Sequence, residues 1–371
     1  MKNIFKWKNE SIYTKPLSPA CLMCERGSKM VVLVTGLCSA KCFYCPLSKR
    51  KLGKDRIFAN EWELKDEDDT EKLIREAEYI GATGAGITGG DPLIVWERTK
   101  RYILILKDAF GSNFNIHLYT SGLNNYEHIG DLVSAGLDEI RFHPNPIYWS
   151  DISNSPIISS IKIALNTGID VAIEVPVIPD RNKEVISLIE WADGLGIKFV
   201  NLNELEFSET NAKTLNSKGF IVKDDISAAV KGSQESAYNV LDKISKMDLD
   251  IGVHYCSSSF KDASQLRNRI KRRAKNIAKD HEVITDEGTL LKGVIYSKNI
   301  SLNNLLDFLK NVSNIHNNQL YVNKEKERIE LNILVLQKIA SKLNKKDVNC
   351  FIIEEYPTAD SPEDERIPLP I

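Results

Sequence analysis

No apolar run in this chain approaches the roughly 20 residues needed to cross a bilayer, and its opening MKNIFKWKNE lacks the apolar core of a secretion signal. A membrane-bound or exported protein is therefore not expected, and a cytoplasmic one is. Charge of one sign is missing too. The 49 Lys and Arg residues nearly cancel the 51 Asp and Glu residues, leaving a net charge of −2. No global field draws the protein onto nucleic acid or anionic lipid. Low-complexity tracts are absent, and the only internal repetition is an alternation of strands and helices. The seven cysteines are an odd number and mostly clustered, which suits metal ligation in a reducing compartment better than a disulfide framework.

Three of those cysteines define the stretch around which the chain is organised. In Val31–Ser48, VVLVTGLCSAKCFYCPLS, an apolar strand ends at Thr35-Gly36, and Cys38, Cys42 and Cys45 follow in the spacing C-x3-C-x2-C. Three thiolates within eight residues offer three corners of a metal or iron–sulfur centre. A four-cysteine zinc site or an ordinary ferredoxin cluster asks for a fourth thiolate nearby, and none follows before Cys256. Three ligands on a four-iron cluster leave one iron open, which points to chemistry at that iron. The plainer alternative is a zinc loop or buried thiols.

The rest of the chain reads as an α/β protein. Strands are expected at Lys29–Thr35, Ala85–Thr88, Asn113–Tyr119, Glu139–His143, Asp170–Val177, Phe199–Leu205 and Asp250–Tyr255. Helices are expected between most of them, near 66–80, 96–110, 126–135, 155–167, 183–195 and 233–247. Such an order requires parallel strands with right-handed crossovers. Six or seven units are too few for a closed eight-unit barrel, so a partial parallel βα barrel is expected over 30–260, after an N-terminal Cys-containing extension, 1–29. Barrels of this kind carry their chemistry at the C-terminal strand ends. The Cys loop, Gly89-Gly90-Asp91-Pro92, Thr120-Ser121, His143 and Asn203 all fall there. A basic helix or linker, 261–279, leads to a smaller α/β domain, 280–371. In that domain strands are expected near 291–296, 319–322 and 348–353, helices near 302–312 and 328–343, and an acidic, Pro-containing tail in loop form.

The cysteine spacing, with the aromatic Tyr44 just before the third cysteine, resembles the signature of the radical S-adenosylmethionine superfamily. Within it the chain most resembles proteins related to pyruvate formate-lyase-activating enzyme. The resemblance implies a 4Fe–4S cluster on Cys38, Cys42 and Cys45 whose open iron chelates S-adenosylmethionine. Reductive cleavage then gives methionine and a 5′-deoxyadenosyl radical that takes hydrogen from a substrate. It also implies an electron donor such as ferredoxin or flavodoxin. Gly89 and Gly90 resemble the family's Gly-Gly-Glu turn, which holds the amino group of the cofactor's methionine moiety; Asp91 stands where Glu is commoner. By the same resemblance Thr120, Ser121, His143, Glu174 and Asn203 bind its ribose and carboxylate, and Tyr44 lies against the adenine. For each polar strand residue the alternative is a satisfied core group. No catalytic residue is identified, and family membership does not name the substrate.

Cys21 and Cys24, a C-x2-C pair, and His254-x-Cys256 form a further ligand set, suited to zinc or to an auxiliary iron–sulfur cluster. Cys24 precedes the first strand and Cys256 ends the seventh, at opposite barrel ends, so unlinked cysteines are the alternative. Cys350, in Val348-Asn349-Cys350-Phe351, reads as a core thiol. The segment Gln265–Lys279 carries seven basic residues and no acidic one. It suits RNA docking or, as favoured here, a solvated helix face. A metal-stabilised electron-transfer module without radical chemistry is the competing function.

Overall fold

The computed structural model describes residues 3–224, 227–297, 299–313, 315, 319–343 and 348–370. They divide into two compact units, one of residues 1–78 and 82–266, the other of residues 79–81 and 267–371.

The first unit is built on seven parallel strands: β1 (Lys29–Thr35), β2 (Gly84–Gly89), β3 (Asn115–Thr120), β4 (Glu139–Phe142), β5 (Asp170–Val177), β6 (Phe199–Glu204) and β7 (Gly252–Cys256). They lie in sequence order, each paired in parallel with the next. Amphipathic helices such as Trp96–Phe110 and Asn182–Gly194 form the crossovers and bury one face each. The expected partial barrel is therefore the architecture found. Lys29, Tyr119, Arg141, Glu174, Asn201, Asn203, His254 and Cys256, drawn from β1 and from β3 to β7, line one cavity. Strands so far apart in the sheet meet there only because the sheet curls.

Three features were absent from the sequence reading. The lead-in is not irregular: Ile12–Tyr13 pairs antiparallel with β7, and α1 (Pro19–Arg26) precedes β1. Ser18 caps α1 through Cys21 N, Pro19 begins it, and Gly27 ends it in the left-handed conformation. Its Met23 occupies the space that a side chain on Gly84, the first residue of β2, would fill. That places α1 beneath the N-terminal ends of the strands. Across the other edge a hairpin, Ile57–Ala59 and Trp62–Leu64, pairs antiparallel with β1.

The second unit begins with α2 (Arg267–Ile277), inside the expected basic helix. An antiparallel sheet follows, with β8 (Leu290–Ser297), β9 (Leu320–Asn323), β10 (Arg328–Leu331), β11 (Val348–Glu355) and β12 (Glu363–Pro368) along its main path. Two helices, α3 (Leu302–Ser313) and α4 (Ile333–Leu343), contribute Leu305, Leu309, Leu336, Ile339 and Leu343 to a core with Ile295, Ile329, Leu331 and Cys350. Cys350 is thus a core thiol. Two expectations need correction. The helix placed at 328–343 is a strand followed by a helix, because Asn332 breaks the pattern and its side chain accepts from Leu334 N. The tail is not all loop, because β12 pairs with β11.

The opposite face of this sheet buries charge. Arg328, fully buried, reaches Glu330 at 2.7 Å and Glu355 at 2.6 Å, and Lys292 reaches Glu282 at 2.6 Å and Glu355 at 2.8 Å. Burial pushes the Glu330 and Glu355 carboxyls upward, but the surrounding His281, Lys292, Lys326, Asn323 and Arg328 contacts outweigh it and hold both below the ordinary carboxylate range. Their contribution to stability is complete above the unfolded pKa and is lost as pH falls through the folded one. Arg328→Ala removes a buried cation that two buried carboxylates share and should cost about 3–5 kcal/mol. Hydrogen–deuterium exchange read on β8, β10 and β11 checks this. Protection should fall in the variant at neutral pH, and in the wild type on acidification below about pH 4. Unchanged protection in both would remove the network from the account.

Candidate functional site

The loop after β1 carries Cys38, Cys42 and Cys45, all free thiols, Cys38 exposed and the other two half-buried. Backbone hydrogen bonds help hold its root, beside Leu37 N donating to Thr35 Oγ1 at 3.2 Å. Gly36 N donates to Lys54 O, and Gly53 N donates to Gly36 O. The turn after β2 presses against it: Gly90 N donates to Thr35 O, and Asp91 N donates to Leu37 O. A Cβ on Gly36 would overlap the Lys51 carbonyl, one on Gly89 that of Thr35, and one on Gly90 that of Leu37. Gly89 also has φ +144°. Only glycine permits so close an approach.

Asp91 is fully buried and receives Thr120 Oγ1 at 2.7 Å, Ser121 N at 3.3 Å, the Ser121 hydroxyl and Leu93 N at 3.1 Å. Burial pushes its carboxyl up, and the two hydroxyls and two amides pull it partly back. Asp91, Thr120 and Ser121 therefore form one knot tying the Gly-Gly turn to the end of β3.

Tyr44, buried on the same loop, lies 2.9 Å through its hydroxyl from His143 Nε2 at the end of β4. The segment after β6 clamps the loop from the other side: Asn211 Nδ2 donates to Tyr44 O at 3.0 Å and Thr210 Oγ1 to Cys45 O at 3.2 Å. Burial lowers the His143 pKa, which keeps the imidazole neutral.

Glu174 and Asn203 point into the barrel, where Asn203 Nδ2 donates to Glu174 Oε1 at 2.8 Å and Arg141 Nη1 to Glu174 Oε2 at 2.7 Å. Arg141 also donates to Glu139 and, at 3.0 Å, to Ser18 Oγ. Burial pushes Glu174 up, but the guanidinium and amide more than reverse it and hold it ionised. The expected ligands Cys21, Cys24, His254 and Cys256 line this same cavity, of about 230 Å³. Their opposite barrel ends do not keep them apart, because α1 turns its cysteines inward from below. Lys29, Tyr119 and Gln265 share the cavity and were not foreseen. A lysine opening a buried strand was the available signal for Lys29.

The basic segment is engaged within its own unit. Arg267 pairs with Glu287, and Arg273 donates to Pro357 O. Among the described residues, no helix is long and apolar enough to cross a membrane.

The family described as Radical SAM superfamily matches residues 32–192, and a domain of unknown function, DUF8061, matches residues 288–369. A protein of Methanocaldococcus jannaschii, provisionally named a glycyl-radical enzyme activating enzyme, is 39% identical over 362 residues, spanning 95% of this chain and 93% of its own. The GTP 3′,8-cyclase of Staphylococcus carnosus is 29% identical over 199 residues, 48% of this chain and 57% of its own. Among solved structures, Streptococcus suis SuiB bound to S-adenosylmethionine aligns at TM-score 0.44 and 12% identity, over 62% of this chain. The chain spans 50% of the length of SuiB.

Gly90→Ala tests the loop's anchorage, since its methyl meets backbone that has no side chain to move aside. Iron retained after anaerobic reconstitution should fall by about a third or more while the far-UV circular dichroism stays that of the wild type. Full iron retention would show that the turn does not position the thiols.

Proposed function

The chain belongs to the radical S-adenosylmethionine superfamily, and from that premise we propose that Cys38, Cys42 and Cys45 hold a 4Fe–4S cluster with one iron left for the cofactor. The donor set fits this group. The carboxylate beside Cys38, that of Asp91, is taken up by two hydroxyls and two amides, so the loop offers three protein donors and not four. When bound, the cluster and S-adenosylmethionine supply the one-electron cleavage to methionine and a 5′-deoxyadenosyl radical that abstracts hydrogen.

The chain's own residues position and shield. Gly89 and Gly90 bring bare backbone to the loop, where an ammonium group meets carbonyl acceptors without a side chain intervening. Tyr44 and His143 form a hydrogen-bonded pair beside the cysteines, an aromatic wall suited to the adenine. The Asp91–Thr120–Ser121 knot holds the turn in place. Glu174 and Asn203 are polar groups deeper in the barrel, within reach of a cofactor or substrate that extends inward. The electron comes from a one-electron carrier of the ferredoxin or flavodoxin class.

The substrate is a protein. What supports this finer reading is the name of the Methanocaldococcus jannaschii relative, which matches nearly the whole chain. The exposure of Cys38 agrees with it, since it puts the loop within reach of a macromolecule.

Reconstituted anaerobically with iron and sulfide and reduced with dithionite, the wild type should convert S-adenosylmethionine to methionine and 5′-deoxyadenosine. Cys42→Ala should lose at least about a hundredfold of that rate. No cleavage by the wild type, or cleavage retained in the variant, would count against the enzyme. For the substrate, extract from the source cells grown on α-deuterated glycine is split into protein and small-molecule fractions. Deuterium should enter 5′-deoxyadenosine from the protein fraction; entry from the small-molecule fraction alone would reject a protein substrate.

A further inference from the structure

The barrel's inner cavity gathers sulfur that the Cys38–Cys42–Cys45 loop does not use. Cys21 and Cys24 sit three residues apart on α1 and so share a helix face. His254 and Cys256 sit two apart on β7 and so share a strand face. All four are buried and all line the cavity. Cys21 Sγ lies 3.8 Å from His254 Nδ1, while His254 Nε2 has no hydrogen-bond partner among the described residues. A buried imidazole nitrogen without a partner asks for a ligand that the protein itself does not provide.

Two of the sulfurs also face a nitrogen donor. Arg141 Nη2 lies 3.8 Å from Cys21 Sγ and Gln265 Nε2 lies 3.6 Å from Cys256 Sγ. Neutral thiols in an apolar core need no such company. Sulfurs carrying negative charge do, and N–H donors aimed at ligand sulfurs are a standard control on metal–thiolate centres. Gln265 reaches Cys256 because the chain after β7 makes a widened π-helical turn over Lys261–Leu266, a form that often marks functional sites.

The size of the space separates the two kinds of centre. A single zinc ion sits about 2.3 Å from each thiolate and fills the middle of its own tetrahedron. No three of Cys21, Cys24, His254 and Cys256 bring their ligand atoms all within 4.8 Å of one another, a spread wider than one zinc ion spans, and the cavity of about 230 Å³ leaves room for a polyatomic core. Lys29, Arg141 and Lys261 also line the cavity, where Arg141 pairs with Glu174 and Lys261 with Glu206.

We propose that Cys21, Cys24, Cys256 and His254 hold a second iron–sulfur cluster inside the barrel, separate from the cluster that binds S-adenosylmethionine. This assignment rests on the cavity and not on the radical chemistry, and its test reads metal and sulfide instead of turnover.

The full-length chain and a Cys38→Ser/Cys42→Ser/Cys45→Ser variant are reconstituted anaerobically with ferrous iron and sulfide. The variant should keep iron and acid-labile sulfide in near-equal amounts, about a third to a half of the wild-type content. Adding Cys21→Ser/Cys24→Ser should remove both. Mössbauer spectra of the wild type provide the check that needs no substitution, and they should show two cluster species. A folded triple serine variant without iron or sulfide would overturn the proposal. So would about one zinc per chain without sulfide, or a wild-type spectrum containing a single cluster species.

Discussion

Two stretches of bare backbone lying against each other set the geometry of the three-cysteine loop. The turn at Gly89–Asp91 donates two backbone hydrogen bonds to the strand end at Thr35–Leu37, with no side chain between them. A hydrogen bond between main chains fixes position more tightly than one between long side chains, because no rotamer freedom remains in it. The orientation of three thiols on an otherwise irregular loop therefore traces back to the missing Cβ atoms of Gly36, Gly89 and Gly90. Asp91 belongs to the same device. Its carboxylate gathers the end of β3 onto the turn and so ties the turn, and the loop bonded to it, to that strand end.

Deeper in the barrel the governing constraint is charge in a low dielectric. Arg141 is buried between Glu139 and Glu174. A guanidinium there is tolerable only with both carboxylates in place. The second unit repeats the pattern with Arg328 between Glu330 and Glu355. The consequences differ: the second network is confined to a sheet face, whereas the first leaves a polar cavity next to three sulfurs.

Much of the fold was legible because its strands and crossover helices follow simple periodicities. Trp96–Phe110 and Asp170–Val177 could be read to the residue from apolar spacing. The failures share one physical origin, in elements whose stabilisation is not local. The strand Ile12–Tyr13 exists because β7 offers it an edge some 240 residues later, which no window of sequence shows. In β12 the charged run Glu363–Arg366 hides the strand, since an edge strand exposes both its faces. Arg328–Leu331 passed as helix because Ile329 and Ile333 fall four apart across the Asn332 break. Helix α1 was different: Ser18, Pro19 and Gly27 announced its ends, but its short apolar pattern drew no notice. For the site, the three loop cysteines were evident from spacing alone, whereas the meeting of Cys21 with His254 required knowing that α1 turns under the barrel.

That antiparallel pairing of Ile12–Tyr13 with β7 has a consequence for biosynthesis. The second residue partner of the pair leaves the ribosome only after nearly the whole first unit has been made, so sealing this edge is a long-range event that local structure cannot hasten. Until then Cys21 and Cys24 stand without Cys256, as nascent thiols open to oxidants and to stray metal. The full lining of the cavity, His254 and Cys256 included, comes together only when that last strand has joined the sheet.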